Sequence, residues 1–280
     1  MFLLTMSVSV LHAAPSTPER WYFTHFTTDD GLAFNSVTSI TQDSNGFIWF
    51  ATEDGLSRYD GRSFRNFRKE DLGLDTDFIT RLCADGQGNL WIGSDNGASR
   101  YDFIADRFVP LDTVSDKGTS VCGKVTHISI DDGGLVWMSV NGLGLFSYDP
   151  VTGRLRNFFC ENGHTTLPFN IRTFVIDGNG DFWFSLYFAD IWHADSSLES
   201  IERVEMDHWK ANDDIVAMEK SAPGRIVLSS WKNGLGEFDC KKRSFRRCLG
   251  YERGCRPKGM FYDRNNRRIW SATTRGLYLY

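Results

Sequence analysis

Six histidines and six cysteines are the side chains of this sequence best able to hold a metal or act as nucleophiles, and neither set is spaced for it. The histidines stand at 12, 25, 127, 164, 193 and 208, with no His-x-x-x-His pair that would put two ring nitrogens on one helical face. The cysteines stand at 83, 122, 160, 240, 248 and 255, with no Cys-x-x-Cys. Asp-x-Asp-x-Asp-Gly is absent, so calcium has no loop, and no Gly-x-Ser-x-Gly elbow offers a nucleophile. The expectation is therefore no metal, no cofactor and no catalytic residue. A net charge of −5 likewise lacks the basic footprint that nucleic acid requires.

The aspartates have a pattern of their own. Asp43, Asp85, Asp131, Asp177 and Asp263 each close an alternating segment just before a Gly- or Asn-rich turn. A short carboxylate there accepts hydrogen bonds from nearby backbone N–H groups, a scaffold role rather than an acid–base one. Six residues after each of the first four stands a tryptophan: Trp49, Trp91, Trp137 and Trp183. Val227 and Trp270 continue the series, at intervals of 42, 46, 46, 44 and 43 residues.

That regularity identifies the elements. Each unit of about 43 residues reads as four short strands joined by tight turns: an alternating first strand, a second bearing the Trp, a third ending in Tyr-Asp or its equivalent, and a polar fourth. The prediction is an all-β chain, a β-propeller of six four-stranded blades over residues 16–280. One blade cannot bury both faces of its sheet, so Trp49, Trp91, Trp137, Trp183 and Trp270 are expected to pack between adjacent blades. Residues 21–26 look like a lone fourth strand able to complete the last blade. The last unit, in contrast, stops at a third strand, Gly276 to Tyr280. That abrupt stop favours an incomplete part of a larger array over a closed ring of six. Residues 1–15, apolar and then small, resemble a signal-peptide leader without its basic start, which points to export.

Ligands of a propeller sit on the face made by the loops between strands 2 and 3 and between blades. The cluster Trp231, Lys232 and Asn233 is the best candidate there, followed by Tyr187 with Phe188, by Trp209 beside His208, and by Arg275. A loop ring either stacks on the apolar face of a sugar or packs beneath neighbouring loops.

The segment SITQDSNGFIWFATEDGLSRYD and its copies, with the opening FTHFTTDDGLAFNSV, resemble the two-component regulator propeller repeats. Blade 4 departs from the pattern: Tyr187 to His193 replaces the Gly-Leu-x-x-Tyr-Asp segment. The resemblance implies the N-terminal periplasmic sensor region of a hybrid two-component histidine kinase. It further implies seven-bladed or double propellers, homodimers in the full-length form, an oligosaccharide ligand, and membrane attachment only through segments beyond this chain. No kinase motif lies within these 280 residues, so the chain itself is expected not to be an enzyme. The competing expectations are a propeller-fold enzyme, such as a lyase or quinone-dependent dehydrogenase, and a protein-interaction platform.

Overall fold

The computed structural model describes residues 23–158, 170–206 and 209–280. The predicted leader, Trp21, Tyr22, Cys160, His164 and His208 lie outside them. Six antiparallel sheets follow one another, each a simple meander; five have four strands and the last has three. Their first strands are Val37–Gln42, Ile79–Ala84, Val125–Ile130, Ile171–Ile176, Ile215–Ala222 and Pro257–Asp263. Each packs beside the next, as in the inner ring of a six-bladed β-propeller. A four-residue helical turn, Lys69–Leu72, interrupts the loop between blades 1 and 2.

The turn aspartates do more than brace turns. Asp43 Oδ1 accepts the N–H groups of Asn45 and Phe47, while Oδ2 accepts the indole N–H of Trp49 at 2.6 Å. Asp85, Asp131 and Asp177 repeat the arrangement, taking Trp91, Trp137 and Trp183 at 3.3, 2.8 and 3.1 Å. A buried indole N–H without a partner is costly, so the carboxylate permits the ring to be buried. The turns themselves need φ > 0 at Gly46, Gly88, Gly134 and Gly180, which glycine adopts without strain.

Each ring so fixed reaches forward onto the next blade. Trp49 lies among Leu82, Leu90 and Tyr101 of blade 2. Trp91 meets Val125 and Ile128 of blade 3, and Trp137 meets Phe174 and Phe182 of blade 4. Trp183 meets Ile226 and Phe238 of blade 5. Val227, with no N–H to satisfy, packs on Ile269 of blade 6. Ser221 stands where the other blades carry the turn aspartate, so the carboxylate and the indole are replaced together. Burying one such ring removes ~150–250 Å² from water, worth about 4–6 kcal/mol as an upper estimate.

A second tie crosses each of the first three interfaces. Every first strand carries a bulge after its first residue, with the skipped residue being Thr38, Thr80, Thr126, Arg172, Val216 or Lys258 in turn. In blades 1–3 the threonine hydroxyl donates to the next blade's first strand: Thr38 to Ile79 O, Thr80 to Val125 O and Thr126 to Ile171 O, at 2.6–2.7 Å. At the next interface Ser185 Oγ reaches Ile215 O at 3.3 Å. Close approach is also enforced by Gly93, where an added Cβ would sit 2.6 Å from Val125 Cγ1.

The N-terminal segment differs from the expected lone fourth strand. Residues 23–26 form no strand and do not complete blade 6. Phe26 instead packs against Tyr59 and Phe64 of blade 1, at ring distances of 5.0 and 5.4 Å. A fourth strand needs a free sheet edge within reach, whereas Phe26 finds apolar rings in its own blade. On blade 6, Phe261, Trp270 and Leu279 stand in register on one face, with Phe261 60% exposed.

Replacing Trp91 by Ala should cost ~3–5 kcal/mol in urea denaturation, through lost burial and the cavity left behind. Thr126→Val should cost less, about 1–3 kcal/mol, because buried Ser139 and the Ile171 carbonyl lose their partner. A loss below ~1 kcal/mol for Trp91→Ala would contradict its place in the interface.

Candidate functional site

The blade-4 segment that breaks the repeat, Tyr187 to His193, forms a turn and then runs into a regular third strand, Ile191–Ala194. The turn projects Tyr187 and Phe188, with Phe188 at φ +54° and 62% exposed. Blade 5 contributes Trp231 from its own strand 2–3 turn. Phe188 meets Trp231 edge-on, centroids 6.0 Å apart at 80°. Arg256, from the loop before blade 6, lies 4.8 Å over the Trp231 ring, and Arg172 lies 5.2 Å over Tyr187. Thus three predicted rings come together under two guanidinium groups, an arrangement favoured by the negative π face.

Arg172 occupies the bulge position that carries threonine in blades 1–3. It too reaches the next blade, but pairs with the carboxylate of Asp214, one residue before the carbonyl a threonine would have reached. Asp214 is almost fully buried, and its Oδ2 has no hydrogen-bond partner. The Trp231 indole N–H is also buried and unpartnered. An idle acceptor and an idle donor at one locus offer hydrogen bonds to a group that can both give and take a proton, such as a hydroxyl.

The other candidates are placed elsewhere or otherwise engaged. Asn233 is buried, bonding Asp213 Oδ2 and the backbone of Lys210. Lys232 gives its N–H to Asp213 and its ammonium to Ala211 O. These two hold the turn that presents Trp231. Trp209 donates to Asp190 and packs edge-on against Phe245, at the outer strands of blades 4 and 5. Arg275 pairs with Glu252 in the open.

The channel between the first strands holds a cavity of about 370 Å³ near the strand 1–2 turns, bordered by His127, Asp131, Asp177, Glu219 and Arg264. Asp131 and Asp177 are committed to their turns and indoles. Glu219 accepts Tyr262 N–H at 3.1 Å, and burial raises its pKa. His127 packs on Phe174; burial first, and the Arg81 cation second, push its pKa down to about 3. Outside the channel, His193 bridges Asp181 and Glu202 at 3.2 and 3.4 Å. Among the described residues no group of three His, Cys, Asp or Glu is placed to hold a metal. Cys83, Cys122, Cys240, Cys248 and Cys255 are free thiols. Burial pushes Cys83 and Cys240 up to about 12.

Sequence reasoning found the rings but not Arg172, Arg256 or Asp214. Aligning the repeats does expose Arg172, because it breaks a column of threonines.

Residues 31–54 and 73–96, in blades 1 and 2, match the family model of the two component regulator propeller. A stretch of 49 residues is 43% identical to Histidine kinase P4 of Formosa agariphila, spanning 18% of this chain and 4% of that protein. Among solved structures, the extracellular domain of the hybrid two component system BT3049 of B. thetaiotaomicron superposes with a TM-score of 0.77 at 22% identity. That superposition covers 91% of this chain and 35% of that one. The corresponding domain of BT4673 gives 0.60 at 19% identity, covering 88% and 40%. Virginiamycin B lyase of Staphylococcus aureus gives 0.64 at 13%, covering 88% and 84%. These structural likenesses show the propeller fold. The chain spans well under two thirds of either B. thetaiotaomicron domain.

Because His127 is held neutral in the fold but has an ordinary pKa of 6.5 when unfolded, the unfolded state binds more protons between those values. Stability should therefore fall as pH drops from about 6.5 toward 3, and His127→Gln should flatten that limb in pH-dependent urea titrations. At pH 8, exposed Cys122 should react with a thiol reagent in the folded chain well before Cys83 or Cys240. Equal labelling rates by mass spectrometry would refute the burial of those two thiols.

Proposed function

We infer that this chain, whose first two blades carry two component regulator propeller repeats, is the propeller part of an extracytoplasmic sensor. We further infer that it receives an oligosaccharide on Tyr187, Phe188 and Trp231. The observation that carries the reading is the convergence of those rings around an unpartnered indole N–H and an unpartnered carboxylate oxygen. Rings take the apolar face of a sugar, and the two idle polar atoms take its hydroxyls. The sensor role draws support from the extracellular domains of hybrid two component systems that share the fold. Among the described residues no helix is long and apolar enough to cross a membrane. On this reading the chain lies in the periplasm, and the output comes from other parts of a longer protein.

Binding tests the reading directly. A calorimetric panel of plant and host oligosaccharides should yield at least one ligand of this chain. Trp231→Ala or Phe188→Ala should weaken it at least tenfold, roughly the 1–3 kcal/mol typical of a stacked aromatic contact. Trp209→Ala, at the outer rim, should leave affinity within about twofold. Equal sensitivity at all three positions would argue against the site.

A further inference from the structure

The first strands present one equivalent position in every blade, just after the bulge: Ser39, Arg81, His127, Thr173, Ala217 and Gly259. Four of these are small, and the imidazole of His127 is kept neutral by burial. Arg81 alone brings a fixed charge. Its Nη1 donates to Thr80 O at 2.8 Å, and no acid pairs with it among the described residues. Its charged neighbours are the wrong ones for stability. Burial disfavours its cation first, and Arg172 adds repulsion, while the Tyr187 phenol acts in the opposite sense. Asp214, an acid on the loop side, is paired with Arg172. The repeat itself does not need an arginine here, because five other blades do without one.

An uncompensated guanidinium in a partly desolvated channel is unfavourable until an anion meets it. Its planar fork of N–H donors matches a carboxylate or sulfate bidentately. We propose that Arg81 is the receptor for an oxyanion carried by the sugar ligand, so that this site selects acidic over neutral oligosaccharides. The inference rests on the oligosaccharide reading above. The sugar ring lies on the Tyr187–Phe188–Trp231 patch, and its acidic group turns inward past Arg172 to Arg81. Arg172, paired with Asp214 and stacked on Tyr187, holds the aromatic wall.

Three probes of the 280-residue chain test this by calorimetry: a galacturonate oligomer, its methyl ester, and a galactose oligomer bearing sulfate. The expected result is that at least one anionic probe binds tenfold or more tighter than the neutral ester, a discrimination that weakens with salt. The two anionic arms separate carboxylate from sulfate. Arg81→Gln should abolish the preference without lowering the melting temperature of the free protein, since it removes an unpaired charge. Arg81→Lys, which keeps the charge but loses the fork, should fall between. Arg81→Gln leaving anionic affinity within twofold overturns the proposal, as does equal binding of acid and ester. Equal binding that still depends on Trp231 leaves the oligosaccharide reading standing, whereas binding of no probe removes both.

Discussion

A four-stranded sheet with apolar side chains on both faces is not stable alone in water, and that constraint organises this molecule. Each blade is completed by its successor, and the device that couples them is an indole held by a carboxylate. Asp43, Asp85, Asp131 and Asp177 each serve two backbone N–H groups and one ring N–H. Turn geometry and interface packing are thus set by one side chain. If the carboxylate is lost, the indole N–H must be buried unpaired or the ring must leave the interface. Blade 5 supports this account by exception: where the ring becomes Val227, the aspartate has become Ser221 as well.

The repetition makes its departures informative. A column of threonines ties three consecutive interfaces, and the fourth member, Arg172, ties blade 4 to blade 5 by an ion pair with Asp214 instead of a hydroxyl bond, and stacks on Tyr187. The interface that lost its threonine gains a longer tie from Ser185. Blade 4 also replaces the standard strand 2–3 turn with Tyr187 and Phe188. Two departures from the repeat therefore meet at one place on the loop side, between blades 4 and 5. Such substitutions are not required by the sheet, and their convergence is the physical basis for locating a site there.

The two ends of the channel differ in charge economy. At the strand 1–2 turns the acids are engaged in holding tryptophans, and their capacity for a ligand is largely spent. At the loop side the groups left over are Arg81, Arg256, the Trp231 indole and one oxygen each of Asp95 and Asp214. Unspent hydrogen-bonding capacity beside exposed rings is the combination a polar ligand requires.

Blade number, the strand composition of each unit and the place of Trp49, Trp91, Trp137 and Trp183 between blades were legible in the residues alone, because periodicity is local and each copy repeats the evidence; that the rings face forward was not. The turn aspartates were legible as turn braces but not as indole acceptors. The six-residue spacing to tryptophan was visible, yet only strand pairing across the hairpin shows that ring and carboxylate share a face. Tyr187, Phe188 and Trp231 could be named as loop aromatics, whereas Trp209 looked equivalent and lies at the outer rim. Lys232 and Asn233 looked like ligand groups and instead anchor the turn through Asp213. The expected strand at 21–26 failed in its described part because Phe26 found rings in its own blade. What the sequence by itself determined was the blade, since a blade is built from neighbours in the chain. What only the tertiary structure decided was which loops converge and which charges remain unpaired, because those depend on contacts between residues 15 to 43 positions apart, most of them in different blades.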